Sequence, residues 1–307
     1  MAEFLTSHQH LMGFAANALR ACMLLAVVTI VFAPLEHIFA IRPGSLFAKG
    51  WRVNLGWDFF NSLFTALLLA PPALLIAWLI HSALPGSVTE AAAGLPLWAR
   101  MVAAMIVGEI GFYWGHRWSH EIPLLWRFHA VHHSAEHVNF LVNTRGHPVD
   151  MIFTRLCGLT LLYATGLASP VGPNPSLVPM LVLLIGSLWS FFIHANVRWR
   201  LGPLEEIIAS PAFHHWHHTL EDHKDHNYSS MLPFIDRLFG TFYLPRAWPK
   251  DYGTSTPVPE TMIGQLLDPL APSGAARVPL PARSSSRPDR FRQAPPGAGQ
   301  CRASNAD

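Results

Sequence analysis

Apolar residues in this chain come in long unbroken runs instead of amphipathic stripes. Five such runs stand at about 21–40, 57–83, 98–115, 151–168 and 176–195. Each is near the ~20 residues that an α-helix needs to cross a bilayer core, and buried soluble helices are the plainer alternative. The second run contains Pro71-Pro72, where a missing backbone donor predicts a kink. The third stops at HRWSHEIPLLWRFHAVHH, and the fourth and fifth are separated by ASPVGPNPS, a turn signal. Residues 1–19 contain no Lys or Arg, so the first run reads as a retained span and not as a signal peptide. From about 273 the chain is rich in Pro, Ser, Ala and Arg, which predicts a disordered basic tail over 273–307 behind a membrane domain over 1–272.

Loop charges predict an orientation. Arg42, Lys49 and Arg52 follow the first run, Arg117, Arg127 and Arg145 the third, and Arg198 and Arg200 the fifth, whereas 84–97 and 169–175 carry no Lys or Arg. The positive-inside rule then places the N-terminus outside, and the histidine-bearing segments and the C-terminus in the cytoplasm.

Composition agrees with the runs: of 307 residues, 51% are hydrophobic and 13% charged, about half the charge of a soluble domain. A net charge of +2 without interleaved basic and aromatic residues argues against nucleic acid. Cys22, Cys157 and Cys301 form no CxxC, so neither a disulfide framework nor a thiolate metal site is expected. The anomaly is histidine: there are 18, and 14 of them lie between His116 and His226.

Four groups carry chemistry: His116 and His120 (HxxxH); His129, His132 and His133 (HxxHH); His194; and His214, His217 and His218 (HxxHH). On a helix, positions i, i+3 and i+4 share a face, so these nine imidazoles suit two metal ions with four or five nitrogens each. His8, His10, His37 and His81 read as isolated interfacial polar residues, and His215 falls one step off the face of its own motif. His137, His223 and His226 read as solvated polar residues, while His147, in RGHPVD, stays open between ligand and bystander.

Two acids are expected to take catalytic parts. Glu109 lies inside the third run, where an ionisable residue is costly and usually functional. It stands roughly 10 Å from His116 along a helix axis, so it is expected to partner a histidine from another helix. Glu121 directly follows His120, and Asp222, Asp225 and Asn227 follow the last cluster as candidates for orienting ligands. Imidazole suits zinc, copper, iron and nickel alike, and the donor type alone does not choose among them.

HRWSH, HAVHH, HANV and SPAFHHWHH, running into DHNYSSMLPFIDRLFGTF, together resemble the fatty acid hydroxylase/sterol desaturase superfamily over about 100–245. In order, the set is specific; each motif alone is weak. The apolar runs and the ligand spacing predict an all-α integral membrane bundle of four to five spans, capped by a cytosolic helical domain built from 116–150 and 196–245 that holds a dinuclear site, with the fourth and fifth runs open between full spans and a shallower hairpin. The resemblance implies that His116, His120, His129, His132, His133, His194, His214, His217 and His218 bind two iron ions. Glu109 occupies the place of the family's intramembrane acid, and Arg145 with His147-Pro148 resembles its RxHP element. Ser229, Ile235 and Asn196 or Arg198 depart from the family's common Gly, Trp and His. Glu121 after HRxxH is similar to members acting on ether lipids.

The implied activity is O2-dependent hydroxylation or desaturation of a fatty acyl, sterol or ether-lipid C–H bond. No nucleotide-binding GxGxxG in a βαβ setting and no cysteine set for an iron–sulfur cluster is present. Electrons are therefore expected from a ferredoxin, a cytochrome b5-like protein or a reductase. The rival readings are a histidine-rich membrane metal transporter, whose site belongs near the bilayer midplane, and a membrane zinc hydrolase, for which Glu121 is the candidate water-activating carboxylate.

Overall fold

The computed structural model describes residues 2–44, 47–168, 177–220 and 223–271, with side chains from residue 12 onward. The expected tail at 273–307, most of the turn at 168–176 and Asp222 lie outside the described residues. Among the described residues the chain is all-helical, with only isolated bridges such as Ala40 to Val197 and no strands.

Three stretches are long and apolar enough to cross a membrane. They are α1 (Ala2–Phe39) from Met12 onward, the continuous segment made by α2 (Trp51–Phe60) and α3 (Ala66–Ala83), and α8 (Leu177–His194). A fourth span is available only if α4 (Gly86–Gly94) and α5 (Leu97–Glu121), bent by 119°, count as one. Leu24, Val27, Ile30, Leu67, Leu74, Trp78 and Leu183 all face outward, an inverted pattern that suits lipid and not water.

The fourth apolar run behaves differently from a free span. It forms α7 (Pro148–Ala164), which has 17 residues, carries Asp150 and Arg155, and packs along α5. Glycines let the two backbones meet: a Cβ added at Gly111 would lie 2.5 Å from the Cys157 carbonyl oxygen, and one at Gly158 would lie 3.1 Å from that of Gly108. Small residues permit such approach between membrane helices. α5 has 25 residues, about 38 Å at 1.5 Å per residue, more than the ~30 Å hydrocarbon core. HRWSH is thus the last part of this helix and not a segment after it.

α3 stays helical through Pro71-Pro72, where a kink was expected, and a register break lies further upstream, where the backbone is π-helical over Asn61–Thr65. There the Asn61 amide donates to the Thr144 and Gly146 carbonyls at 2.8 and 3.0 Å, tying the segment to the loop before α7. α1 is tied in by Glu36, whose carboxylate accepts from the Phe140 and Asn196 amides at 2.8 and 2.9 Å. Val28, Phe32, Phe140 and Phe191 form a core between α1, the 3-10 turn Phe140–Thr144 and α8. α6 (Pro123–His133) and α9 (Pro211–His217) then close over the ends of α5 and α8.

Candidate metal centre

The fold draws the nine histidines into two adjoining buried groups. His116, His120, His129, His133 and His217 form one, and His132, His194, His214 and His218 the other, with ligand nitrogens in each within 4.8 Å of one another. His116 and His120 come from the last turns of α5, and His194 is the last residue of α8. The two HxxHH motifs cross-supply the groups. α6 gives its i and i+4 rings, His129 and His133, to the first group and its i+3 ring, His132, to the second. The second motif gives His214 and His218 to the second group and His217 to the first. Both groups are therefore bound to the same two short helices, and the His133 and His218 rings stack between them at 4.7 Å.

Hydrogen bonds at the outer nitrogens fix what the inner nitrogens can do. His116 Nδ1 donates to the Tyr228 carbonyl at 2.6 Å, and His217 Nδ1 to that of His226 at 2.8 Å. His132 Nδ1 donates to the Arg145 carbonyl at 2.8 Å, and His194 Nδ1 to that of Ser190 at 2.7 Å. His129 Nδ1 meets Asp150 Oδ2 at 2.9 Å, and His120 Nδ1 meets Asp225 Oδ1 at 3.0 Å. A carbonyl or ionised carboxylate only accepts, so each such ring carries its proton on Nδ1, and in a neutral ring Nε2 is a bare lone pair.

These lone pairs converge. His116 and His129 place their Nε2 atoms 3.2 Å apart, and His132 and His194 place theirs 3.3 Å apart. In both pairs each ring's proton is already committed at Nδ1, so neither ring can donate to the other. Such an arrangement calls for a cation between them. A first-row ion binding imidazole at about 2.0–2.1 Å would space neighbouring nitrogens about 2.8–3.4 Å apart, and the separations observed across both groups run from 2.9 to 3.3 Å. Burial and the neighbouring His129 hold His132 down to about 4, and burial holds His133, His214, His217 and His218 well below the usual imidazole value. Neutral, nitrogen-only and convergent, the residues fit two transition-metal ions.

Local sequence explains the anchors. In RGHPVD, His147 caps α7 by accepting the Val149 amide at Nδ1, Pro148 begins the helix, and Asp150 falls in its first turn against His129. Burial alone would raise the Asp150 carboxyl, but His129 and a 2.8 Å bond from Ser119 bring it below the usual carboxylate value. Arg145 clamps the end of α6 through the Val131 carbonyl and Ser134, and reaches Asn54 on α2. In the NYSS segment, Asn227 takes a positive φ of 59° and bonds the Phe213 and Tyr243 carbonyls. Asp236, at the start of α10 (Phe234–Leu238), accepts the Tyr228 and Ser229 amides. Together they present the Tyr228 carbonyl to His116.

The two acids expected to act on the chemistry sit elsewhere. Glu109 reaches no histidine among the described residues; its carboxylate accepts from Ser230 Oγ and from the Met231 and Leu232 amides, so it holds the loop that carries Tyr228. Those unpaired backbone donors, close to its turn of α5, meet the acid first. Glu121 pairs with Arg117 at 2.7 Å and its side chain is 46% exposed. Asp150 is the acid that the sequence pattern missed; its position in the first turn after His-Pro was the available signal. His215 turns away to Tyr252 Oη and the Ala195 carbonyl, and His147 bonds the Leu266 carbonyl. His223 stacks on Tyr243. Asn196, where a further histidine was considered, instead brackets Arg42 through its backbone N–H and carbonyl.

A cavity of about 140 Å³ adjoins the histidines, bounded by Phe112, Met151, Arg155, Ser190 and Ile193 as well as by ligand rings of both groups.

The fatty acid hydroxylase family matches residues 101–241, a stretch that holds all nine histidines. Over this stretch the chain is similar to members of the fatty acid hydroxylase/sterol desaturase superfamily. It is 34% identical over 189 residues to an ornithine lipid hydroxylase of Rhizobium tropici, covering 60% of this chain and 54% of that protein. It is 34% identical over 141 residues to the human alkylglycerol monooxygenase, covering 46% of this chain and 30% of that protein. With methylsterol monooxygenase 2-2 of Arabidopsis thaliana it is 30% identical over 157 residues, 48% of this chain and 55% of that one. These matches span about half or less of the relatives' own lengths. No solved structure gives a significant match.

Proposed function

We propose that this chain is a membrane di-iron oxygenase that hydroxylates an unactivated C–H bond of a lipid. The observation that carries the reading is the pair of nitrogen-only groups, with protons committed at Nδ1 and bare Nε2 atoms about 3 Å apart. His116, His120, His129, His133 and His217 would hold one iron, and His132, His194, His214 and His218 the other. Bound there, iron supplies the one-electron chemistry that splits O2 and oxidises carbon.

The overall change consumes R–H, O2, two electrons and two protons and yields R–OH and water. The chain's own part is to hold the imidazoles, keep bulk water from the buried rings, and admit a portion of the lipid to the adjoining cavity. The electrons would come from a separate ferredoxin, cytochrome b5-like protein or reductase docked on the face that bears the Arg- and Lys-containing loops, the side that the positive-inside rule favours for the cytoplasm. Three substrate classes follow from the names of the relatives: an amino-acid lipid, an ether lipid and a sterol.

The test is turnover in lipid nanodiscs containing these three classes, with a reductase system and 18O2. One labelled oxygen atom in a product, absent in His132→Ala, is the expected result. Unlabelled or merely desaturated products from all three classes would contradict hydroxylation.

A further inference from the structure

α7 carries a cation at the site that no group among the described residues neutralises. Arg155 lines the same cavity as His116, His129, His132, His194 and His214. Among the described residues no hydrogen bond or ion pair reaches its guanidinium, and the residue is half-buried. Arg145, on the same wall, is by contrast bonded to Val131, Asn54 and Ser134.

The remaining polar groups of the wall are already engaged. Asp150 is held by His129 and Ser119, Thr154 donates to the Asp150 carbonyl, and Ser230 donates to Glu109. Ser190 and Asn143 bond each other. Arg155 therefore brings five N–H donors and a full charge to the wall of a cavity whose acid among the described lining residues, Asp150, is already engaged. An acyl chain threaded past it would leave that charge unpaired, which is strongly unfavourable in a water-poor site. A carboxylate or phosphate would pair with it through two parallel bonds.

We infer that Arg155 receives an anionic group of the lipid, a carboxylate or a phosphate, so that the carbon brought to the histidines lies in or beside the headgroup and not in the middle of an acyl chain. Arg155 is then a positioning and specificity residue. The inference rests on the oxygenase reading for its meaning, but its test requires no metal.

Full-length protein in nanodiscs, stripped of metal by chelator, is loaded with tritiated N-oleoylglycine. Unlabelled N-oleoylglycine, its methyl ester and dioleoyl phosphatidic acid then compete. The acid should compete about tenfold or more better than its ester, as expected for a charge-assisted pair. Arg155→Met should erase that preference and Arg155→Lys should keep part of it, which shows that the site still folds. Stronger competition by phosphatidic acid, equally dependent on Arg155, would identify phosphate as the natural group and support the inference. Equal competition by acid and ester in the unaltered protein, or a preference that survives in Arg155→Met, would overturn it. Intact Arg155-dependent binding by a protein whose iron-loaded form, given O2 and a reductase system, oxidises no lipid would instead overturn the oxygenase reading. Oxidation of uncharged lipids with a KM indifferent to Arg155 would leave that reading standing and remove this inference.

Discussion

The five-nitrogen and four-nitrogen groups share α6 and the α9 motif but differ in what stands behind the rings. In the first, two rings are backed by carboxylates, His129 by Asp150 and His120 by Asp225, and His116 and His217 by backbone carbonyls. In the second, His132 and His194 rest on backbone carbonyls alone, and among the described residues the Nδ1 atoms of His214 and His218 are buried without a protein partner, as is that of His133 in the first. A carboxylate behind an imidazole raises its basicity and fixes its tautomer. The five-nitrogen group should thus grip its ion more tightly, and the four-nitrogen group, which also contributes more rings to the cavity wall, should hold the more exchangeable ion.

The largest expected effect separates ligand from bystander within these motifs. His132→Ala should abolish turnover and remove about one metal ion per chain, because His132 is one of only four donors in its group. His215→Ala should keep most turnover and both ions, with a stability loss of about 1–3 kcal/mol for stranding its buried partners Tyr252 and the Ala195 carbonyl. Metal content and turnover measured on the same samples check both, and the reverse order would reassign the helix face.

A smaller effect should distinguish the two anchoring acids. Asp150→Asn should weaken the five-nitrogen ion by about 10–100-fold while leaving the other in place. Asp225→Asn should do less, since the Asp225 side chain is 49% exposed and is shared with Lys224. Metal titration after chelation reads both. Equal losses from the two groups in Asp150→Asn would break the contrast.

The smallest effect concerns the metal-free protein. His132 is depressed from 6.5 to about 4 and His215 from 6.5 to about 3, each chiefly by burial. Below about 6.5 the unfolded chain binds protons that the folded chain refuses, so stability is fully present above that pH. It falls as pH drops through the window, and the His132 share is lost by about 4. Thermal melts of chelated protein should decline between these values. Metal-loaded protein should hold its melting temperature until protons displace the ions.

The histidine groups were legible because their information is local: spacings of i, i+3 and i+4 put rings on shared faces whatever the tertiary arrangement. The anchors were not, because they come from far along the chain. Tyr228 supplies a carbonyl to His116 from 112 residues away, and Asp150 reaches His129 only once α7 is capped and packed. Glu109 shows the same limit: its cost in an apolar helix marked it as important, but its partners belong to a loop more than 120 residues downstream. Whether the run at 151–168 crosses was open in the sequence, because the glycine contacts and two charged residues that bind α7 to α5 show only in the assembled fold. The charge of Arg155 was visible in the sequence, whereas its lack of a partner among the described residues emerges only when the cavity is assembled.

The most direct test of the central claim is a metal count on protein purified without oxygen from iron-supplied cells, with Mössbauer spectra of the same sample. Close to two irons per chain, in two distinguishable nitrogen-rich environments, is the predicted result. A single tightly held zinc with no redox-active iron would contradict it.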